Sequence, residues 1–298
     1  MKLHHPAALL GALLALLAAC SDSPTTAGAV SPPAPGAPRR YTNGTNICSN
    51  QAVPAGYVII SGSLVTSCPN WAPGTMNRYL IGIPGTQEVV CSNSPVPSPY
   101  VLIAVGNNTN CPNWTATAQN TKTIRTPVSP MNVCSNSPLP SGYVITSASN
   151  NPNCANWTAT AQNQYSIKIP ASTEVICSNS PLPSGYVITA VGNNSNCPNW
   201  SATAQNTTTI RTPVSPMNVC SNSPIPSGYV ITSASSNTNC ANWTATAQNQ
   251  YSIKIPGTTE VVCSISPIPS GYVVIASGNS TNCPNWTATS QNTRTIQR

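Results

Sequence analysis

Phenylalanine is absent from this 298-residue chain, charged side chains make up only 5% of it, and histidine occurs only at His4 and His5. Carboxylates are nearly as scarce: Asp22, Glu88, Glu174 and Glu260. These gaps exclude most side-chain catalysis. A Ser-His-Asp triad has no histidine to draw on after residue 5. A paired-carboxylate hydrolase would have to combine glutamates 86 residues apart. There is no phosphate-cradling Gly loop and no oxygen-rich metal cluster. The net charge of +7 is spread thinly, with no basic run beyond Arg39-Arg40, so the concentrated footprint that nucleic acid requires is missing. The expectation is a chain that is neither an enzyme nor a nucleic-acid binder, with no cofactor and no metal.

What the chain does have is a period. Cys48, Cys91, Cys134, Cys177, Cys220 and Cys263 recur every 43 residues, and so do Cys68, Cys111, Cys154, Cys197, Cys240 and Cys283. Tyrosines 57, 100, 143, 186, 229 and 272 keep the same interval, as do Trp71, Trp114, Trp157, Trp200, Trp243 and Trp286. A fixed period of this size is the signature of a tandem array. A 43-residue unit has too little interior to fold on burial alone and needs disulfides or neighbours.

The N-terminus reads as an export address. Lys2 precedes an apolar stretch, Pro6 to Ala19, too short to span a bilayer comfortably, and small residues follow it: a secretory signal over residues 1–19. Leu17-Ala18-Ala19-Cys20 resembles the lipobox of bacterial lipoproteins. The resemblance covers about the first 21 residues and implies that Cys20 becomes a lipidated N-terminus. Two or more acyl chains suffice for stable membrane anchoring. Ser21 after the cysteine implies the outer membrane. The alternative is an ordinary cleaved signal with an incidental cysteine. Residues 20–40 then form a tether with Pro24, Pro32, Pro33, Pro35 and Pro38. Extended at ~3.1 Å per residue, such a tether reaches at most about 60 Å.

Setting Cys20 aside leaves twelve of the thirteen cysteines, two per unit. An even, regularly spaced set in an exported chain reads as a disulfide framework. Pairing across the 20-residue step, Cys48-Cys68, Cys91-Cys111, Cys134-Cys154, Cys177-Cys197, Cys220-Cys240 and Cys263-Cys283, uses every one. Pairing across the 23-residue step strands Cys48 and Cys283. Each predicted bridge closes a loop worth about 3 kcal/mol in the chain-entropy model. Zinc is the rival, but close Cys-x-x-Cys pairs and available histidines are lacking.

Residues 41–298 divide into six blocks of 43 without remainder. A double-length beat overlies them: Glu88, Glu174 and Glu260, Lys168 and Lys254, and Arg125 and Arg211 are each 86 apart. The array therefore reads as three repeat pairs, 41–126, 127–212 and 213–298. The predicted fold is all-β, with three short strands per disulfide-stapled unit. The first ends at the leading cysteine, as in Glu174 to Cys177. The second is Gly185 to Thr189, rich in β-branched and aromatic residues. The third alternates Tyr165, Ile167, Ile169. Its exit turn, Pro256 to Thr259 in the last copy, predicts a hairpin into the next unit's first strand.

Two aromatic sets are candidate sites. Each tryptophan lies three residues after its unit's second cysteine. It serves either as a core ring packed on the disulfide or as a solvent-facing platform for stacking sugars. The six tyrosines are divided between packing and binding, with packing favoured. Asn156 and Thr158 beside Trp157 could bond sugar hydroxyls or satisfy their own turn. Lys254 and Glu260 flank a turn and can pair across it. The functional expectation is a lipid-anchored cell-surface spacer or adhesin-like array. The alternative is a multivalent lipoprotein binding a glycan or envelope polymer through linked weak sites.

Overall fold

The structure is a computed structural model that describes residues 44–298. The expected signal, Cys20 and the expected tether lie outside the described residues. Units 1 to 6 span residues 41–83, 84–126, 127–169, 170–212, 213–255 and 256–298.

Each unit contributes three strands. Unit 1 has β1 (Thr45–Cys48), β2 (Val58–Ser63) and β3 (Arg78–Gly82); unit 2 has β4 (Gln87–Cys91), β5 (Val101–Gly106) and β6 (Thr121–Arg125). Unit 3 has β7 (Met131–Cys134), β8 (Val144–Ser149) and β9 (Gln164–Lys168); unit 4 has β10 (Thr173–Cys177), β11 (Val187–Gly192) and β12 (Thr207–Arg211). Unit 5 has β13 (Met217–Cys220), β14 (Val230–Ser235) and β15 (Gln250–Lys254); unit 6 has β16 (Thr259–Cys263), β17 (Val273–Gly278) and β18 (Thr293–Gln297). No helix occurs among the described residues. Every unit closes its own antiparallel sheet, with the third strand between the first and the second.

That order overturns the expected hairpin across unit boundaries. β9 pairs with β7 on one side and β8 on the other. A central strand has both edges occupied, so none remains for β10. The alternation also stops early. Tyr165 and Ile167 lie in β9, but Ile169 falls one residue past its end and is exposed, its amide donating to Ser129 Oγ at 2.9 Å. The second strand starts later than expected because Gly185 adopts φ +84° and the amide of Tyr186 donates to Pro183 O, making a turn before Val187. A bulge between Ile188 and Ala190 then shifts the register and increases the local twist. The same bulge recurs in all six units.

All six predicted disulfides are present, each spanning 20 residues. Their packing goes beyond what the cysteine spacing implies. In one core, Val101 of unit 2 meets Val133, Tyr143, Ile145 and Ile167 of unit 3 and the Cys177-Cys197 bridge of unit 4. The next odd unit repeats this with Val187, then Val219, Tyr229, Ile231 and Ile253, then Cys263-Cys283. The bridges of units 2, 3, 4 and 6 therefore close their own loops and also pack into the interior of the preceding unit. A central isoleucine (81, 124, 167, 210, 253, 296) is wholly buried in every unit. Full burial of such a side chain stabilises by roughly 1.5–3 kcal/mol.

Neighbours are also hydrogen-bonded, through loops instead of strand pairing. The amides of Ile59, Leu102, Ile145, Ile188 and Ile231 donate to the hydroxyls of Ser94, Ser137, Ser180, Ser223 and Ser266 in the following unit, at 2.8–2.9 Å. This contact is the same within and between the 86-residue pairs. The double-length beat appears instead in Lys168–Glu174 and Lys254–Glu260, ion pairs at 2.6 Å that link unit 3 to 4 and unit 5 to 6. Both are partly solvated, so each contributes about 0–1 kcal/mol.

Candidate functional site

The tryptophans are built on a braced surface loop. Each follows an asparagine in left-handed conformation, Asn70, Asn113, Asn156, Asn199, Asn242 and Asn285, with φ between 58° and 62°. Asparagine tolerates that region better than any other residue with a side chain except aspartate. The reversal directs the following ring away from the core. Trp71, Trp114, Trp157, Trp200, Trp243 and Trp286 are 48–54% exposed. They are therefore not core rings: the side chain that fills the centre of every unit is its wholly buried isoleucine. With rings of this size, on the order of 100 Å² of each stays accessible.

A buried asparagine that sequence reasoning passed over holds this loop. Asn163 Nδ2 donates within 2.9–3.1 Å of the carbonyls of Asn151, Cys154 and Ala155, and its Oδ1 accepts the Asn151 amide at 2.8 Å. Asn77, Asn120, Asn206, Asn249 and Asn292 occupy the same position and are also buried. A side-chain amide offers two donors and two acceptor sites, so nearly its full capacity is used here. The only signal in the sequence is an Asn repeated just before each third strand, which composition hides among many others. Among the described residues, no buried side-chain nitrogen or oxygen lacks a partner.

A second brace lies beside the ring. Asn107 Nδ2 donates to Thr115 O at 2.6 Å, Asn193 Nδ2 to Ser201 O at 2.6 Å, and Asn279 Nδ2 to Thr287 O at 2.8 Å. Asn150 makes the same bond to Thr158 O. These side chains are thus occupied with backbone. At the first junction the ring also borders a cleft of about 400 Å³, where Trp114, Asn113 and Thr109 face Tyr79 and Met76 of unit 1. Unit 1 carries Pro73-Gly74-Thr75-Met76 where unit 2 has Ala116-Thr117-Ala118-Gln119 around the same turn, which gives this cleft its own shape.

Two of the six tyrosines are buried, Tyr143 and Tyr229 in the cores of units 3 and 5, whereas Tyr57 is half-buried against the core of unit 1. Tyr100, Tyr186 and Tyr272 are only partly buried and reach the opening turn of their own unit; Tyr100 Oη lies 2.9 Å from Pro84 O and 2.8 Å from Gly85 O. Burial, with Glu88 adding to it, pushes the Tyr100 phenol above its usual range. Burial also holds the Lys122 ammonium below its usual range, while its Nζ donates to Ser94 O at 3.3 Å. Glu88, Glu174 and Glu260 sit on β4, β10 and β16, in three different sheets.

No family model, no curated protein and no solved structure matches this chain. Six bridges form under extracellular or otherwise oxidising conditions, and they place the folded array in such a compartment.

Proposed function

We propose that this chain is a non-catalytic cell-surface protein, anchored through lipid at Cys20, whose stacked units act as a spacer or adhesin-like array. The observation carrying this reading is the junction used five times over, with a serine hydroxyl from one unit on a backbone amide of the last. Such an array builds reach by repetition, without a unique site. The lipobox-like Leu17-Ala18-Ala19-Cys20 supports anchoring, and Ser21 supports the outer membrane. Deleting residues 127–212 tests the spacer. The shortened chain is expected to fold and to lower the accessibility of a terminal tag above the cell surface. Unchanged accessibility and adhesion would sink the idea.

A second reading is favoured by the tryptophans. Six half-exposed rings in one repeated, braced setting suit a multivalent interaction with a glycan or envelope polymer. Weak stacking contacts joined on one scaffold gain affinity through effective concentration. Acrylamide is expected to quench all six with similar efficiency. Binding to a glycan panel should fall steeply, not in proportion, as Trp114, Trp157 and Trp200 are replaced by Ala in turn. Retained binding in the triple variant removes the tryptophans from the ligand site.

A further inference from the structure

The last unit exposes a surface that every other unit covers. Val273, Val274 and Ile275 in β17 are 63%, 47% and 53% exposed, whereas Val58, Val101, Val144, Val187 and Val230, the counterparts of Val273, are wholly buried. In those five units this strand meets the first strand of the unit after it. Two of its amides leave the sheet there. One donates to the next unit's serine, and the other, from Gly62, Val105, Ala148, Val191 or Ala234, donates to a carbonyl of the next unit at 2.5–2.7 Å. The corresponding donors in unit 6 are Val274 and Ser277.

Unit 6 carries Ile275 at this face, as units 1 and 2 carry Ile60 and Ile103, where units 3, 4 and 5 have Thr146, Thr189 and Thr232. Unit 1 presents the opposite half of the same contact. Ile47 is only half-buried there, although its counterparts Val90, Val133, Ile176, Val219 and Val262 are buried beneath a preceding unit. Cys68 is likewise more open than the other five second cysteines.

We propose that the β17 face of unit 6 docks the β1 face of unit 1 in a second copy of this chain, reusing the internal junction between molecules. Simple edge-to-edge pairing of two β17 strands fits poorly, because the bulge between Val274 and Ala276 breaks the register that a straight partner strand needs. The occupant that matches the two outward amides is a leading face of the kind that meets them five times already. Unit 1 differs at one point: Gln51 replaces the junction serine, and its Oε1 accepts the Cys48 amide at 2.9 Å. That amide oxygen must leave Cys48 to receive Val274, which makes the contact between molecules weaker than the internal ones. A head-to-tail contact of this kind does not close on itself and gives an open series of oligomers.

Sedimentation of the whole exported chain in detergent, over a concentration series, tests this. The expected result is a progression of species past the dimer. Val274→Lys and Ile47→Lys should each reduce the chain to monomer, and mixing the two variants should restore a dimer and nothing larger. Should Ile47→Lys unfold, Thr45→Lys, on the exposed start of β1, takes its place. A wild-type chain that stays monomeric throughout overturns the proposal. So does a closed dimer abolished by Val274→Lys but indifferent to the unit 1 variants.

Discussion

Ser180 Oγ accepts the backbone amide of Ile145 at 2.9 Å, across the boundary between units 3 and 4. The hydroxyl also donates to the carbonyl of Pro181, so one side chain satisfies a neighbour's amide and its own turn. Removing it leaves the Ile145 amide without its acceptor in a partly buried junction. Ser180→Ala is expected to cost about 1–2 kcal/mol. Amide exchange is expected to accelerate at Ile145 and to leave units 1 and 6 unchanged. Exchange raised evenly along the whole array would contradict a local junction.

Asn163 makes a heavier demand. Asn163→Ala strips partners from the buried Cys154 carbonyl, from the partly buried Asn151 and Ala155 carbonyls and from the Asn151 amide, and is expected to cost roughly 2–3 kcal/mol. Its diagnostic is the neighbouring ring. Trp157 emission and quenching should change as its loop loosens, while an array with only Trp157 altered should keep its stability. No change in Trp157 quenching would separate the asparagine from the loop.

The bridges are expected to differ in weight according to position. Replacing both Cys48 and Cys68 with Ala removes a loop constraint of about 3 kcal/mol. Replacing Cys177 and Cys197 removes the same constraint and also uncovers Val133, Ile145 and Ile167 in the preceding unit. That packing loss should add about 1–2 kcal/mol. Protection of unit 3 amides against exchange reports it directly: a loss confined to unit 4 contradicts the sealing role.

Alkaline titration offers a further check at Tyr100. Burial first, and Glu88 second, raise its pKa in the folded chain. A phenol raised in this way contributes stability that is complete below about pH 10, its unfolded value, and is lost as pH climbs through the folded value. Tyr100→Phe should therefore flatten part of the alkaline decline in melting temperature. It should also cost about 1 kcal/mol at neutral pH, from the bonds to Pro84 and Gly85. An alkaline limb identical in the two proteins would contradict this.

The unit, its three strands and its bridge were legible in the sequence because each rests on local, countable features: a period of 43, β-branched runs and a cysteine spacing with one consistent pairing. Strand order was not. Turn residues at Pro256-Gly257 look like a hairpin whether or not the preceding strand has a free edge, and only the sheet shows that β15 is central. The tryptophan's position was equally ambiguous, since a large ring beside a disulfide suits a core or a surface. It was decided by Asn156, whose positive φ turns Trp157 outward, and by Asn163, which locks that turn. Both asparagines keep the 43-residue period, but repetition alone does not tell which conformation or which partners each takes. Sealing by the following unit's bridge was invisible for a different reason: it joins residues such as Ile145 and Cys177 that share no local pattern.

The identical joint at all five boundaries also bears on inheritance. Copies as alike as residues 112–175 and 198–261, which differ at seven positions, invite misaligned exchange between gene copies. An exchange between them adds or drops a whole 86-residue pair and leaves every remaining serine opposite an amide it already fits. Descendants can thus vary in length without passing through a misfolded intermediate.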